Sequence, residues 1–523
     1  EELQLQVLVL GVACLYAFLQ TNWTGPVLSV EPEDLLPEEV REHREELRKR
    51  ALAALTEDGE EPYSLTQRPG FLLMARTLLV EGSPQLGELK TVHWWKARCL
   101  LIQQRILDNP TETLHSSHLM LFKAQSRLPA AEPLNKEVLA RFNLETGLAH
   151  HWYSQDKDAV AGFTSAEEVS GFKWSLSGAL GKRTKFQTFN VAQLVVLAES
   201  AADEDAESAS TAETVAVTGS KPTNLDLNDD TILETIEFTA PKEGENGKHA
   251  GKQGNLKAID QCILLAFCLN VKNTNPANGL TTEQMLPYVR RVLENANNWM
   301  VYTMALLLRS RLESHKSRTV ERAALQLQAL VDQFPLEEST PAERMLHIFS
   351  IMMPPKWELE RELGERFVSI GVLRSAFEIF QRLELWEDAI SCLQMLEKPK
   401  EAEALVRQRL ELSPKSPKLH CLLGDLSGNA SFYEMAWQLS DGRYPRAMRS
   451  LGGYYFKRGE WVKSIESYHR ALAINALFEN SWFIMGCAAM RAEDWDTAVR
   501  AFSRTVSINH ENGEAWTYLA SVY

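Results

Sequence analysis

The chain has 523 residues, and its 55 Lys and Arg against 70 Asp and Glu give a formal net charge of −15. Binding along a nucleic-acid backbone needs clustered cations that displace counterions, so this balance argues against direct nucleic-acid binding. The seven cysteines are scattered without a Cys-x-x-Cys pair, and we interpret them as small buried residues in a reducing compartment.

Residues 7–19 form an apolar run near the start of the chain. The run is shorter than the roughly 20 residues that cross a bilayer core, and two glutamates precede it where a signal peptide would be basic. We therefore predict a buried helix, with a signal or anchor segment as the alternative. Because the chain lacks an initiator Met and ends within a repeat, we expect the natural protein to be longer.

Apolar residues recur at helical spacing through the next part of the chain. Acidic residues early and Lys49 and Arg50 late favour the first of these helices through the helix dipole. Convincing alternating strands are absent. We predict an N-terminal helical region of residues 1–198, with helices at residues 38–55, 71–80, 89–107, 114–128 and 138–152.

Residues 178–184 read Gly-Ala-Leu-Gly-Lys-Arg-Thr and superficially resemble a phosphate-binding loop. A P-loop needs Gly five residues before its Gly-Lys pair, and Ser or Thr directly after that pair. Leu176 and Arg183 occupy those places, and no strand pattern precedes them. We interpret the segment as a basic turn, with a nucleotide site as the alternative.

No other group of residues predicts catalysis. His115 and His118 could share a helix face, and His150 and His151 are adjacent, but neither pair has further ligands nearby. The metalloprotease, hydrolase and dinucleotide-binding motifs do not occur. We therefore predict that the chain is not an enzyme, with no catalytic residue, no metal site and no cofactor.

Residues 199–255 are rich in Ala, Ser, Thr, Gly and acidic residues, unlike the sequence on either side. Such a segment buries too little apolar surface to offset the conformational entropy that folding removes. We predict a disordered acidic insertion, in which residues 232–238 form transient structure or a short docking motif.

Helical patterns resume after the insertion and predict irregular helical hairpins over residues 256–415. The predicted helices cover residues 259–271, 281–294, 299–311 and 320–334, and others begin near Trp357, Arg374, Trp386 and Lys400. A basic stretch in this region consists of Arg309, Arg311, Lys316, Arg318 and Arg322. We interpret it as helix-surface charge balanced by neighbouring acids, with contact to an acidic partner or to the insertion as the alternative.

The last part of the chain, residues 416–523, contains an internal repeat with an offset of 34 residues. The matching pairs are Leu451 and Met485, Gly452 and Gly486, and Trp461 and Trp495. Within each copy these positions follow the spacing of one helix face, and a second helix follows, so the pattern predicts paired helices that pack closely at small residues. It resembles the tetratricopeptide repeat, a helix-turn-helix unit of the same length. Gly424 lies only 28 residues before Gly452, which predicts one shortened or degenerate unit.

Several phrases carry a more specific resemblance across nearly the whole chain apart from the insertion. They include Asn-Trp-Thr-Gly-Pro at residues 22–26 and Ser-Gly-Ala-Leu-Gly-Lys-Arg-Thr-Lys-Phe-Gln at residues 177–187, with others at 304–313, 320–322, 383–388 and 422–425. The chain is similar in these segments to the tetratricopeptide repeat protein 27 family of eukaryotes. The resemblance implies an all-helical, non-enzymatic scaffold that is linked to chaperone-assisted assembly of spliceosomal ribonucleoprotein particles.

We therefore predict an all-α, tetratricopeptide-type solenoid whose concave face, lined by the first helices of its repeats, binds a peptide or domain of a client protein. Apolar residues alternate with cations there, which suits an acidic, amphipathic segment. Ordinary solenoid surface is the alternative. The candidate groove residues, all expected to be exposed, are Arg446, Arg449, Phe456, Lys457, Asn480, Phe483, Met490 and Arg491.

A membrane-associated tethering scaffold and a cryptic nucleotide-binding enzyme are the other functional hypotheses. We expect a cytoplasmic location, with the nucleus as an additional one, and no nucleic-acid or membrane partner.

A carboxylate clamp for the acidic tails of heat-shock chaperones would need Lys, Arg and Asn at five groove positions. The residues there are Arg449, Gly453, Cys487, Glu514 and Tyr518, so we predict no useful affinity for a free chaperone tail.

Overall fold

A computed structural model describes residues 2–87, 89–125, 135–202, 221–229, 231–239, 253–276 and 278–523. Its contacts divide the chain into two compact units, each discontinuous in sequence. The first unit contains residues 1–11, 32–124 and 371–523, and the second contains residues 12–31 and 125–370. This division differs from the four consecutive regions predicted from the sequence, because distant segments pack together within each unit.

Helices form most of the chain before residue 171. The predicted helix at residues 38–55 is divided in two, and the structure describes the predicted helix at 114–128 only as far as residue 125. The helices are α1 (Glu2–Leu19), α2 (Glu38–Arg41), α3 (Arg44–Ala54), α4 (Pro69–Arg76), α5 (Val92–Ile106), α6 (Glu112–Gln125), α7 (Lys136–Trp152) and α8 (Asp156–Ser170).

Helix α1 continues as a wider helical turn, so that one helical segment runs from Glu2 to Thr24. Among the described residues, this segment alone is long and apolar enough to cross a membrane, and one third of its most apolar window is buried. Leu15, Phe18 and Trp23 are fully buried, and the Trp23 indole N–H donates to the carbonyl of Met353 at 3.1 Å. The predicted burial therefore holds for the second half of the segment. The first half exposes Leu3, Leu5, Val9 and Leu10.

A three-stranded antiparallel sheet in the second unit corrects the prediction that strands are absent. It consists of β1 (Lys173–Thr184), β2 (Val191–Glu199) and β3 (Ile232–Phe238), in the order β2-β1-β3. Residues 178–184 are thus part of β1 and do not form a turn. The glycines obscured the strand in the sequence, but Gly181 is required there because a Cβ would lie 2.8 Å from the Ile236 side chain of β3.

The rest of the second unit is helical and confirms the predicted order of elements. Trp174 of β1 packs against Phe267 and Tyr288, with ring centroids 4.9 and 5.3 Å apart, so the sheet shares a core with the helices. The helices are α9 (Ala258–Thr274), α10 (Gly279–Leu293), α11 (Trp299–Glu313), α12 (Val320–Asp332), α13 (Pro341–Met345) and α14 (Lys356–Ser369).

The first unit ends in ten helices, and each packs against the next along the chain. This order of contacts is that of a helical-repeat solenoid, as predicted. The helices are α15 (Leu373–Arg382), α16 (Trp386–Met395), α17 (Pro399–Leu412), α18 (Pro417–Ser427), α19 (Ala430–Leu439), α20 (Pro445–Lys457), α21 (Trp461–Leu472), α22 (Glu479–Arg491), α23 (Trp495–Ile508) and α24 (Gly513–Val522).

One contact recurs in the last complete helix pairs and confirms the register of the repeat. A Cβ on Gly452 of α20 would lie 2.8 Å from the Tyr468 ring of α21, and a Cβ on Gly486 of α22 would lie 2.8 Å from the Phe502 ring of α23. Each glycine thus makes room for an aromatic ring of its partner helix. In the shorter pair the glycine of α18 lies three residues before the end of its helix, against five in α20, and α19 has 10 residues against 12 in α21. The unit is therefore shortened at several places.

Candidate protein-binding site

Helices α20, α22 and α24 are the first helices of their repeats and carry the predicted groove. The prediction that all eight candidate residues are exposed is correct for three of them and wrong for five. The exposed residues are Lys457, Asn480 and Arg491, and the partly buried ones are Arg446, Arg449, Phe456, Phe483 and Met490.

The three apolar candidates pack within the repeats. The Phe483 ring lies 5.8 Å from that of Phe502 and 5.6 Å from that of Tyr518, while Met490 packs against the same core. Phe456 contacts Trp461 of its own repeat, with ring centroids 5.3 Å apart. These side chains stabilise the helix pairs and are not free anchors for a partner.

The two partly buried arginines have partners within the first unit. Arg446 forms ion pairs with Glu387 and, at 3.5 Å, with Asp425. The Arg449 guanidinium lies 4.0 Å above the Phe478 ring. Burial lowers the pKa of Arg449, and the negative charge of Glu60 opposes that shift. Two cations that the sequence assigned to a partner are therefore already engaged inside the chain.

Glu60 belongs to a pair of loops, residues 57–63 and 106–112, which we call the paired loops. They join through an isolated bridge between Pro62 and Leu107, and the Tyr63 N–H donates to the carbonyl of Ile106 at 2.8 Å. The Asn109 amide donates to the Glu60 carboxylate at 2.7 Å and ties the loops together.

The paired loops lie directly against the repeats. Gly59 approaches the start of α20 so closely that a Cβ there would lie 2.1 Å from the Arg443 carbonyl oxygen. The Asn475 amide, in the turn between α21 and α22, donates to the carbonyl of Pro110 at 2.8 Å. The loops thus bind the ends of successive repeat helices through backbone as well as side-chain groups.

Opposite charges face each other across this contact. Lys418 of α18 forms an ion pair with Asp108 at 3.1 Å, and Arg504 of α23 forms one with Glu112 at 3.4 Å. We call the basic residues Lys418, Arg446, Arg449 and Arg504 the cationic face. The groups that form ion pairs with this face are acidic, and they belong to the chain's own loops. No local sequence signal joins positions more than 300 residues apart, so the sequence could not identify them.

The Glu60 carboxylate is the most perturbed acid of this contact. Its side chain is 6% exposed, and burial raises its pKa from 4.5 to about 7. The Asn109 hydrogen bond and the charges of Arg449 and Lys418 lower the pKa but do not cancel the effect of burial. The contact therefore includes an acid that changes protonation near neutral pH.

The other sequence candidates for chemistry do not assemble into a site. An antiparallel strand replaces the phosphate-loop alternative at residues 178–184, because a P-loop needs a strand, a glycine-rich loop and a helix. His150 contacts Gln155 at 2.7 Å and His151 contacts Asn273 at 3.0 Å. Throughout the part of the chain that the structure describes, no three His, Cys, Asp or Glu residues cluster as metal ligands.

The burial that the sequence predicted for the cysteines is confirmed. All seven are free thiols, six are buried and Cys487 is partly buried. Burial raises the pKa of the Cys99 and Cys268 thiols to about 12, so both remain protonated at neutral pH. They lack the lowered pKa that a nucleophilic cysteine needs.

The basic stretch predicted in the second unit contacts described residues of the segment 199–255. Arg322 forms an ion pair with Glu234 of β3 at 2.7 Å and another with Glu313. Arg309 donates to the Asn224 side chain at 2.7 Å. Both interpretations of the stretch are therefore partly correct, since Arg322 is balanced by Glu313 of the neighbouring helix α11 and by Glu234 of this segment. Arg309 and Arg322 are buried, however, and do not lie on the helix surface. The most acidic and glycine-rich parts of the predicted insertion lie outside the described residues.

The chain is similar over nearly its whole length to proteins named for tetratricopeptide repeats. The chain is 38% identical over 556 aligned residues to a TPR repeat-containing protein of Schizosaccharomyces pombe, covering 98% of this chain and 66% of that protein. It is 40% identical over 518 residues to the tetratricopeptide repeat protein 27 homolog of Dictyostelium discoideum, covering 94% of this chain and 59% of that protein. The chain belongs to the tetratricopeptide repeat protein 27 family. It spans about two thirds or less of the length of these relatives.

No protein-family model matches the chain. Among solved structures, the chain is similar to one described as the APC/C hetero-tetramer Cut9-Hcn1, with 12% identity, a TM-score of 0.26 and coverage of 87% of this chain and 81% of that one. This TM-score is too low to support any conclusion beyond the similarity itself. Membership of the family, together with the stacked helix pairs, identifies a protein-interaction scaffold.

Proposed function

We propose that the chain is a non-enzymatic scaffold whose repeats hold an acidic segment of a client protein during chaperone-assisted assembly of spliceosomal ribonucleoproteins, in the cytoplasm and the nucleus. Family membership supports the scaffold role. The assembly role rests on the family resemblance. The acidic chemistry of the client rests on one observation, the ion pairs between the cationic face and the paired loops.

The proposed client site lies on the first helices α20 and α22. Lys457 ends α20 and Arg491 ends α22, and both are exposed with Asn480 between them in sequence. No ion pair is recorded for either cation among the described residues. An acidic client segment can neutralise them through charge-assisted hydrogen bonds without displacing the loops.

Charge reversal in the complete natural protein tests this proposal. Affinity purification of the Lys457→Glu/Arg491→Glu variant should recover several-fold less of the spliceosomal proteins than wild type. Arg500→Glu is the matched control, because Arg500 lies on the second helix α23 and, in the part of the chain that the structure describes, its side chain forms hydrogen bonds only within that helix. Equal recovery from the groove variant and wild type would overturn the proposed site, and absence of spliceosomal proteins from the wild-type sample would overturn the assembly role.

A membrane-associated tethering scaffold remains the second candidate because of helix α1. Four apolar side chains in its first half face solvent, whereas its second half is part of the core of the second unit. Carbonate-resistant association of the natural protein with membranes would favour this role, and loss of that association in Leu5→Ser/Val9→Ser would assign it to α1.

A further inference from the structure

The loop that joins β1 and β2 presents two aromatic rings to solvent. Phe186 is 79% exposed and Phe189 is 69% exposed, yet the loop between them is well fixed. The Gln187 side chain points inward, accepts from the Arg183 N–H at 3.0 Å and donates to the carbonyls of Gly181 and Phe189 at 3.3 and 2.6 Å. Soluble proteins ordinarily bury rings and expose amides. This loop does the reverse, which is typical of a binding surface.

The apolar surface continues from the loop onto both strands. Leu180 is 55% exposed and Leu194 is 38% exposed. Leu180 pairs with Ala192 and Gly178 pairs with Leu194, so Leu180 and Leu194 share one face of the hairpin. We call Leu180, Phe186, Phe189 and Leu194 the hairpin patch.

At the outer edge of β2, the backbone groups near one end are hydrogen-bonded to another segment, and in the described part of the chain those near the other end are not. The Gln253 side chain accepts from the Ala198 N–H and donates to the Val196 carbonyl, each at 2.8 Å, in the manner of a neighbouring strand. Because alternate residues of a strand direct their backbone groups to the same edge, those of Ala192 and Leu194 also point outward. No hydrogen bond is recorded for these outward groups in the described part of the chain. An open edge of this kind can accept an added strand.

The charge of the hairpin indicates what kind of segment would bind. From residue 173 to residue 198 the sequence contains three Lys and one Arg but no Asp or Glu, in a chain whose net charge is −15. Arg183 is held by Glu283 at 2.7 Å, whereas Lys185 is exposed beside Phe186. An acidic partner therefore meets a positive field at the tip.

We propose that the hairpin patch binds an extended, acidic segment of a partner protein, which pairs with the open edge of β2 and seats alternate apolar side chains on the two phenylalanine rings. Strand addition uses the backbone groups of Ala192 and Leu194, and the rings supply apolar contact area. The aliphatic surface and the open edge favour a peptide over single-stranded RNA or a lipid surface. This site lies in the second unit and does not depend on the function proposed for the repeats.

Selection from a library of random peptides displayed on phage tests the site even though the partner is unidentified. The complete natural protein is the target, and the Phe186→Ser/Phe189→Ser variant is used for counter-selection. Enriched peptides should alternate aliphatic or aromatic residues with Asp or Glu. Fluorescence anisotropy with an enriched peptide should give binding at least about tenfold weaker for the double variant. Leu280→Ser is the matched control and should bind as wild type, because Leu280 is 81% exposed on α10 outside the patch.

Two further variants separate the parts of the proposal. Ala192→Pro removes an outward N–H and keeps both rings, so it should also weaken binding about tenfold. Lys185→Glu should weaken binding and reduce its sensitivity to salt. Both phenylalanines are exposed, so thermal unfolding of the double variant should match wild type.

The proposal is overturned if no peptide is enriched, or if enriched peptides bind the double variant or lose as much affinity with Leu280→Ser. It is also overturned if decauridine RNA or phosphatidylserine vesicles bind through the rings when peptides do not. If a synthetic peptide of residues 203–220 binds as tightly as the enriched peptides or more tightly, the patch binds a segment of the chain itself. That result overturns the proposal of a partner protein.

Discussion

Replacing Gly59 with Ala perturbs the contact between the paired loops and the repeats most directly. The φ of Gly59 is 74°, in the left-handed region where a Cβ costs about 1–2 kcal/mol. That Cβ would also lie 2.1 Å from the Arg443 carbonyl oxygen and 2.8 Å from Cδ of Pro445. Neither the backbone carbonyl nor the proline ring can rotate away, so the loop must lift from α20.

We expect Gly59→Ala to cost about 3 kcal/mol, which is the backbone penalty plus a comparable cost for the lost contact. The opening equilibrium of the paired loops should then increase roughly 100-fold, measured as faster hydrogen exchange over residues 57–63. Gly428→Ala is the control, because its φ is 64° and nothing lies within 4 Å of its Cβ position. It should show only the backbone penalty, at the end of α18. Equal changes in local exchange in the two variants would refute the docking of the loops.

Three further predictions concern the same unit. Ala498→Glu should destabilise the last repeats by about 3 kcal/mol, because Ala498 is fully buried between α22 and α23, while Val462→Glu at an exposed position should leave thermal unfolding unchanged. The Glu60 carboxyl has a pKa of about 7 in the folded chain and 4.5 in the unfolded chain. Its contribution to the free energy of unfolding is therefore fully present below pH 4.5 and is lost as the pH rises through 7. Denaturant unfolding should show up to about 3 kcal/mol of this loss in wild type and none of it in Glu60→Gln. A free acidic chaperone tail should not bind with micromolar affinity even at low salt, because Arg449, the one cation at the clamp positions, is engaged with Phe478. Tight binding that is abolished by Arg449→Ala would contradict this prediction.

The repeats could be predicted from the sequence because their packing is local. Gly452 and Gly486 meet aromatic rings that lie 16 residues further along the chain, so spacing alone shows the contact. Helix positions in the second unit were equally predictable from apolar periodicity, as the buried helix α11 illustrates.

The sheet and the occupied cationic face could not be predicted because they depend on distant partners. Residues 178–184 combine glycines with Lys and Arg, which favours a turn locally, but pairing with β2 and β3 makes them a strand. Of the four predicted groove cations, Arg446 and Arg449 are engaged inside the chain. The loop that lies against the start of α20 has the sequence Glu-Asp-Gly-Glu-Glu at residues 57–61, which carries no local sign of where it docks.

The central claim, that the first helices of the repeats bind an acidic client segment, is tested most directly by crosslinking in cells. A photoreactive amino acid at position 480 would lie on α22 between the two exposed cations in sequence, and one at position 462 would lie on the exposed side of the second helix α21. We expect crosslinks from position 480 to acidic segments of spliceosomal proteins, and few from position 462. Equal crosslinking from both positions, or crosslinked segments without acidic residues, would contradict the claim.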